Sequence, residues 1–167
     1  MRRYVVPVLV VLLAAAFDSA LLPVLFRGPW RPGLTLIIAS TWAQMGDTEG
    51  AVAAFAGGIA LEAVSGMPFG INLFGLMMGN SVAALVDRAP VPSALFRATN
   101  WVAVTTLIYH LTLTAIQGLR GVDIDLASAT STVVVPLLLF NPLLSVPVFF
   151  GLRAIMPRLQ RAGRRNA

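Results

Sequence analysis

Apolar residues fall along this chain in runs over about 4–26, 34–46, 50–64, 69–86, 95–117 and 126–152, parted by short polar or glycine- and proline-bearing breaks. The first and the last two reach the ~20 residues a helix needs to cross the hydrocarbon of a bilayer. The second and third are shorter, and a run near ~10–14 residues is a buried, interfacial or re-entrant helix as readily as a span. Asp47, Thr48 and Glu49 are expected to form the turn between them. The pattern predicts an all-α integral membrane bundle of six transmembrane helices in a single domain over 1–167, with a basic cytoplasmic tail over 153–167. Arg2 and Arg3 ahead of the first run imitate a signal peptide, but that run is long enough to be read as a span.

Composition supports a membrane class. Hydrophobic residues make up 57% of the 167 and charged ones 11%, more apolar material than the core of a soluble domain this size needs. With no cysteine, disulfides, thiolate nucleophiles and sulfur-ligated metals are excluded. The basic residues are all arginine and give a net charge of +5, which alone would suggest nucleic acid. Their placement points to a membrane instead. Six spans put Arg2, Arg3, Arg88, Arg97 and the tail residues Arg153, Arg158, Arg161, Arg164 and Arg165 on one face, against Arg27, Arg31 and Arg120 on the other. Five spans would set the two terminal clusters on opposite faces, against the positive-inside tendency. Six spans with both termini cytoplasmic follow.

The stretch GGIALEAVSGMPFGIN over 57–72 carries the strongest local signal. Gly57, Gly58 and Ala60 permit close backbone approach, and Gly75 and Gly79 form a small-residue pair suited to tight helix packing in lipid. Helices bearing the two sets are expected to pack together. Gly66, Pro68 and Gly70 read as a compact hairpin turn, with Pro68 in the first turn of the next helix. Glu62 lies about one turn before the tip. It reads as an interfacial acid, as a polar contact within the bundle or with a partner, or as part of a proton relay, for which only Asp18 offers a second intramembrane acid.

Catalytic and metal chemistry find little to build on. His110 is the only histidine and reads as a hydrogen-bonded packing residue. Ser65 and Ser81 lie near glycines, but no GxSxG elbow surrounds either. Met67, Met77 and Met78 read as packing residues. No metal or cofactor is expected. Asp125, in GVDIDLAS, is an expected N-cap of the last helix, which carries Pro136, Pro142 and Pro147 and an asparagine, Asn141, able to donate and accept across a helix interface.

Taken in order, Arg31-Pro32 before a helix containing Trp42, then a glycine-rich helix ending in an acid and S-G-x-P-x-G, then a last helix with Pro136 and Asn141, resemble MreD, the small integral membrane family of the bacterial rod-shape machinery. The family pattern is close to G-x-x-x-D-x-x-S-G-x-P-x-G. Gly58, Ser65, Gly66, Pro68 and Gly70 match it, and Glu62 stands where aspartate is common. The resemblance implies a non-enzymatic scaffold of the bacterial inner membrane that binds MreC and supports MreB filaments, RodA and the elongation transpeptidase in side-wall peptidoglycan synthesis. It also implies a fold like the substrate-binding subunits of energy-coupling-factor transporters. The rival expectation is such a subunit itself, binding a small vitamin-like solute through Asp18, Asn72, Asn80, Asn100 and His110.

Overall fold

The computed structural model describes residues 2–26, 31–88, 92–123 and 125–164, with side chains described for 4–26, 31–46, 48–88, 92–123 and 125–155. Among these the chain is all-helical. The elements are α1 (Arg2–Ala20), a short α2 (Leu22–Leu25), α3 (Leu34–Met45), α4 (Asp47–Ser65), α5 (Ile71–Val86), α6 (Ala94–Leu119), a short α7 (Leu126–Ala129), a π-helical turn (Thr130–Val134) and α8 (Val135–Arg164). The stretches Tyr4–Leu25, Ala94–Leu119 and Leu126–Ile155 are long and apolar enough to cross a membrane. The outer surface is itself apolar: Leu13 is 71%, Val24 69% and Leu139 69% exposed. A water-soluble bundle would place charge at such positions, so this surface matches a hydrocarbon solvent.

Helix α3 is the hub. It packs against α1, α4, α5, α6 and α8, and Thr35, Leu36, Ile37, Ala39, Ser40, Thr41 and Trp42 are all buried along it. A helix buried on every side lies inside a structure rather than on its surface. Its end is abrupt. Gly46 alone separates α3 from α4, and a Cβ on Gly50 would lie 2.4 Å from the Ala43 Cα, so the two backbones cross at their closest there. Asp47, Thr48 and Glu49 therefore form the first turn of α4 rather than the connecting turn. Acids in a first turn oppose the positive end of the helix dipole, which favours this start.

The α4–α5 connection explains the glycine punctuation. Gly66 ends α4 at φ 64° and Gly70 precedes α5 at φ 101°, a left-handed region that residues with a Cβ enter at a cost of about 1–2 kcal/mol. Pro68 lies in the connection, ahead of Gly70, not in the first turn of α5. The helices α4 and α5 do pack together, through Gly58 against Leu73. The pair Gly75 and Gly79 faces the other way, towards α6. A Cβ on Gly79 would sit 2.8 Å from the Thr105 carbonyl oxygen, and one on Gly75 2.8 Å from the Leu113 side chain.

Asp125 caps α7, accepting from the Ala127 N–H at 3.0 Å and the Ser128 N–H at 3.2 Å. The π turn then passes into α8 with the Val135 N–H donating to the Thr130 carbonyl, five residues back. That wide turn makes room for the ring of Pro136, which in a regular α-helix presses on the carbonyl four residues earlier.

Candidate functional site

Helix α3 begins at Gly33 and α5 at Gly70, and glycine has no side chain with which to cap the free amides of a first turn. In each case an acid from another helix supplies the cap. The Asp18 carboxylate, on α1, accepts from the Leu34 N–H at 3.0 Å through one oxygen and from the Thr35 N–H at 2.9 Å through the other. The Glu62 carboxylate, on α4, accepts from the Leu73 N–H at 2.9 Å and from the Asn72 Nδ2 at 3.4 Å. Hydrogen bonds to a charged acceptor contribute about 1.5–3 kcal/mol each, and the helix dipole adds to them. Both acids hold helix ends.

Each cap extends into a network. Asn141 of α8 accepts from the Gly33 N–H at 3.4 Å and donates through Nδ2 to the Thr106 Oγ1 at 3.2 Å, tying the start of α3 to α8 and α6. Asn72 donates to the Ser65 Oγ at 2.8 Å and its Oδ1 accepts from the Tyr109 hydroxyl at 2.6 Å. Further along the α5–α6 seam, the Trp101 Nε1 donates to the Asn80 Oδ1 at 2.9 Å.

The depth of the first cap is set by its partners. Thr106 lies thirteen residues before Leu119, the last of α6, which at 1.5 Å per residue is about 20 Å below that end. The start of α3 therefore sits near the middle of α6, deep in the bundle. Between it and the exterior is a cleft of about 200 Å³. Asp18, Arg31, Leu61, Tyr109, His110 and Asn141 are among the residues that line it. A second, wholly different recess of about 580 Å³ lies on the apolar flank, where Leu12 of α1 meets Val52, Phe55 and Ile59 of α4.

The residues singled out from the sequence divide among these features. Gly58, Glu62, Ser65, Gly66, Pro68 and Gly70 all fall within the α4–α5 hairpin or at its closest approach. Glu62 is 7% exposed, so the interfacial reading of it gives way to an internal contact. Asp18 and His110 share the cleft, and Asn72 stands behind it, joined through Tyr109. Asn80 pairs with Trp101, and Asn100 enters none of these networks. His110 was expected to be hydrogen-bonded. Its ring instead meets Tyr109 edge-on, with centroids 5.1 Å apart, and borders the cleft. The sequence reading did not identify Tyr109, Thr106 and Trp101 as network partners, although their buried positions with Thr105 and Leu113 mark one face of α6. Comparison with protein-family models, with curated proteins and with solved structures finds no match to this chain.

Proposed function

We propose that this chain is an MreD-type adaptor: a non-enzymatic, six-pass protein of the bacterial inner membrane, with both termini cytoplasmic and a fold like the substrate-binding subunits of energy-coupling-factor transporters. In this reading it binds MreC and supports MreB, RodA and the elongation transpeptidase during side-wall peptidoglycan synthesis. The observation that supports it most is the convergence of the pattern residues on one physical device. Glycines at 66 and 70 turn the chain, Gly58 brings α4 onto α5, and the acid at 62 caps the start of α5. A carboxylate spent in this way makes a frame rather than a reactive group. The exposed part of the hairpin is its tip, where Phe69 is 81% exposed; that tip is the surface offered to MreC, and buried Glu62 supports it from behind. The proline-bearing α8 joins the same frame through α3, which packs on both.

Co-purification from a mild detergent, with bound proteins identified by mass spectrometry, tests this. Recovery of MreC, lost on Phe69→Asp in protein that still folds, is the expected result. Recovery of a transporter ATPase pair without MreC would instead make the chain a solute-binding importer subunit.

A further inference from the structure

The cleft holds opposite charges that do not pair with each other. Asp18 and Arg31 both line it, yet among the described residues Arg31 makes no ion pair or hydrogen bond, and the ion pair present is Arg97 with Asp87. Each Asp18 oxygen accepts one backbone N–H and the Thr35 hydroxyl lies alongside; an ionised carboxylate has about four acceptor positions, so at least one remains. The side chain is only partly buried and borders the open space. The His110 ring also faces this space and makes no hydrogen bond among the described residues. Apolar side chains, Leu22, Leu36 and Leu61, complete the wall.

Size narrows the occupant. A volume of about 200 Å³ lies below the ~300–1,000 Å³ of pockets that hold drug-sized ligands. A small molecule with one cationic end, one anionic end and a short apolar body matches this lining.

The geometry points to a binding site for a free α-amino acid with an apolar side chain, its ammonium on an open position of Asp18, its carboxylate on Arg31 and its side chain against Leu22, Leu36 and Leu61. Arg31 supplies a planar, two-pronged donor suited to a carboxylate. The apolar wall selects against polar side chains, because burying an unpaired polar group there is unfavourable. The site stands on the cleft alone and does not depend on the adaptor reading.

Calorimetric titration of the purified, detergent-solubilised chain tests this with three probes, L-leucine, L-valine and L-phenylalanine. At least one is expected to bind saturably at one per chain. For L-leucine, 4-methylpentanoate, which lacks the ammonium, and 3-methylbutylamine, which lacks the carboxylate, should each bind at least about tenfold more weakly. Arg31→Gln, at an exposed position outside the cap network, should weaken amino-acid binding about tenfold or more with the melting temperature unchanged. The proposal is overturned if no probe binds to folded protein up to about 10 mM, if either single-charge analogue binds as well as its parent, or if Arg31→Gln leaves binding intact.

Discussion

Glu62 offers the sharpest perturbation, because its role as a cap predicts an order among substitutions as well as a magnitude. In Glu62→Ala the Leu73 N–H loses a 2.9 Å bond and the Asn72 amide a 3.4 Å one, in a place where the parent side chain is 7% exposed. An unpartnered buried donor costs about 1–3 kcal/mol, and Asn72 keeps its bond to Ser65. Most of the loss falls on Leu73, giving about 2–4 kcal/mol in all once the charge at the helix start is included. Glu62→Gln keeps an oxygen for Leu73 but sets an NH2 against the Asn72 NH2, so it should retain roughly half of the stability that Ala loses. Thermal unfolding followed by intrinsic tryptophan fluorescence is the assay. At about 2–4 °C per kcal/mol for a chain of this length, Ala should lower the Tm by roughly 5–15 °C and Gln by less. An Ala variant within about 0.5 kcal/mol of the parent, the range of ordinary surface substitutions, would refute the cap. So would a Gln variant less stable than Ala.

Other expectations follow from the same geometry. Gly66→Ala and Gly70→Ala meet no atom within 4 Å, so each should cost only the backbone term of about 1–2 kcal/mol, and the double variant their sum, read from the same melts. Gly79→Leu presses a side chain onto the Thr105 backbone; it should reduce folded yield far more than Leu placed at exposed Met78, measured by size-exclusion chromatography in detergent. Because the chain lacks cysteine, single cysteines can be introduced without background. Cysteines added at the amino and carboxyl termini should both react with a membrane-impermeant maleimide from the cytoplasmic side only, and Ser128→Cys from the opposite side only, if both termini are cytoplasmic.

The parts of the fold legible in the sequence are those that one helix settles alone. Apolar run length located α1, α6 and α8, and left-handed turns leave glycines that can be read directly, as at 66 and 70. Asp125 capped the helix immediately after it, a contact over two or three residues. The partners of Asp18 and Glu62 were not legible, because each acid caps a helix sixteen or eleven residues away, and which helix end lies beside it depends on packing. A signal did exist: α3 and α5 each start on glycine with no Ser, Thr, Asp or Asn to cap them, so each needed an acceptor from elsewhere. The direction of the Gly75 and Gly79 pair was hidden for a related reason. Spacing shows that such a helix has a close neighbour, and both α4 and α6 are candidates until the side chains opposite are known. His110 was misread because its surroundings are an open cleft, and a cavity leaves no trace in the order of residues.

The central claim is that Asp18 and Glu62 hold the starts of α3 and α5, and backbone hydrogen exchange at Leu34 and Thr35 tests it most directly. Both amides should be strongly protected in the parent chain and lose that protection in Asp18→Ala, while the Leu73 amide, capped by Glu62, keeps its own. Rapid exchange at Leu34 and Thr35 in the parent, or unchanged protection in Asp18→Ala, would contradict the account.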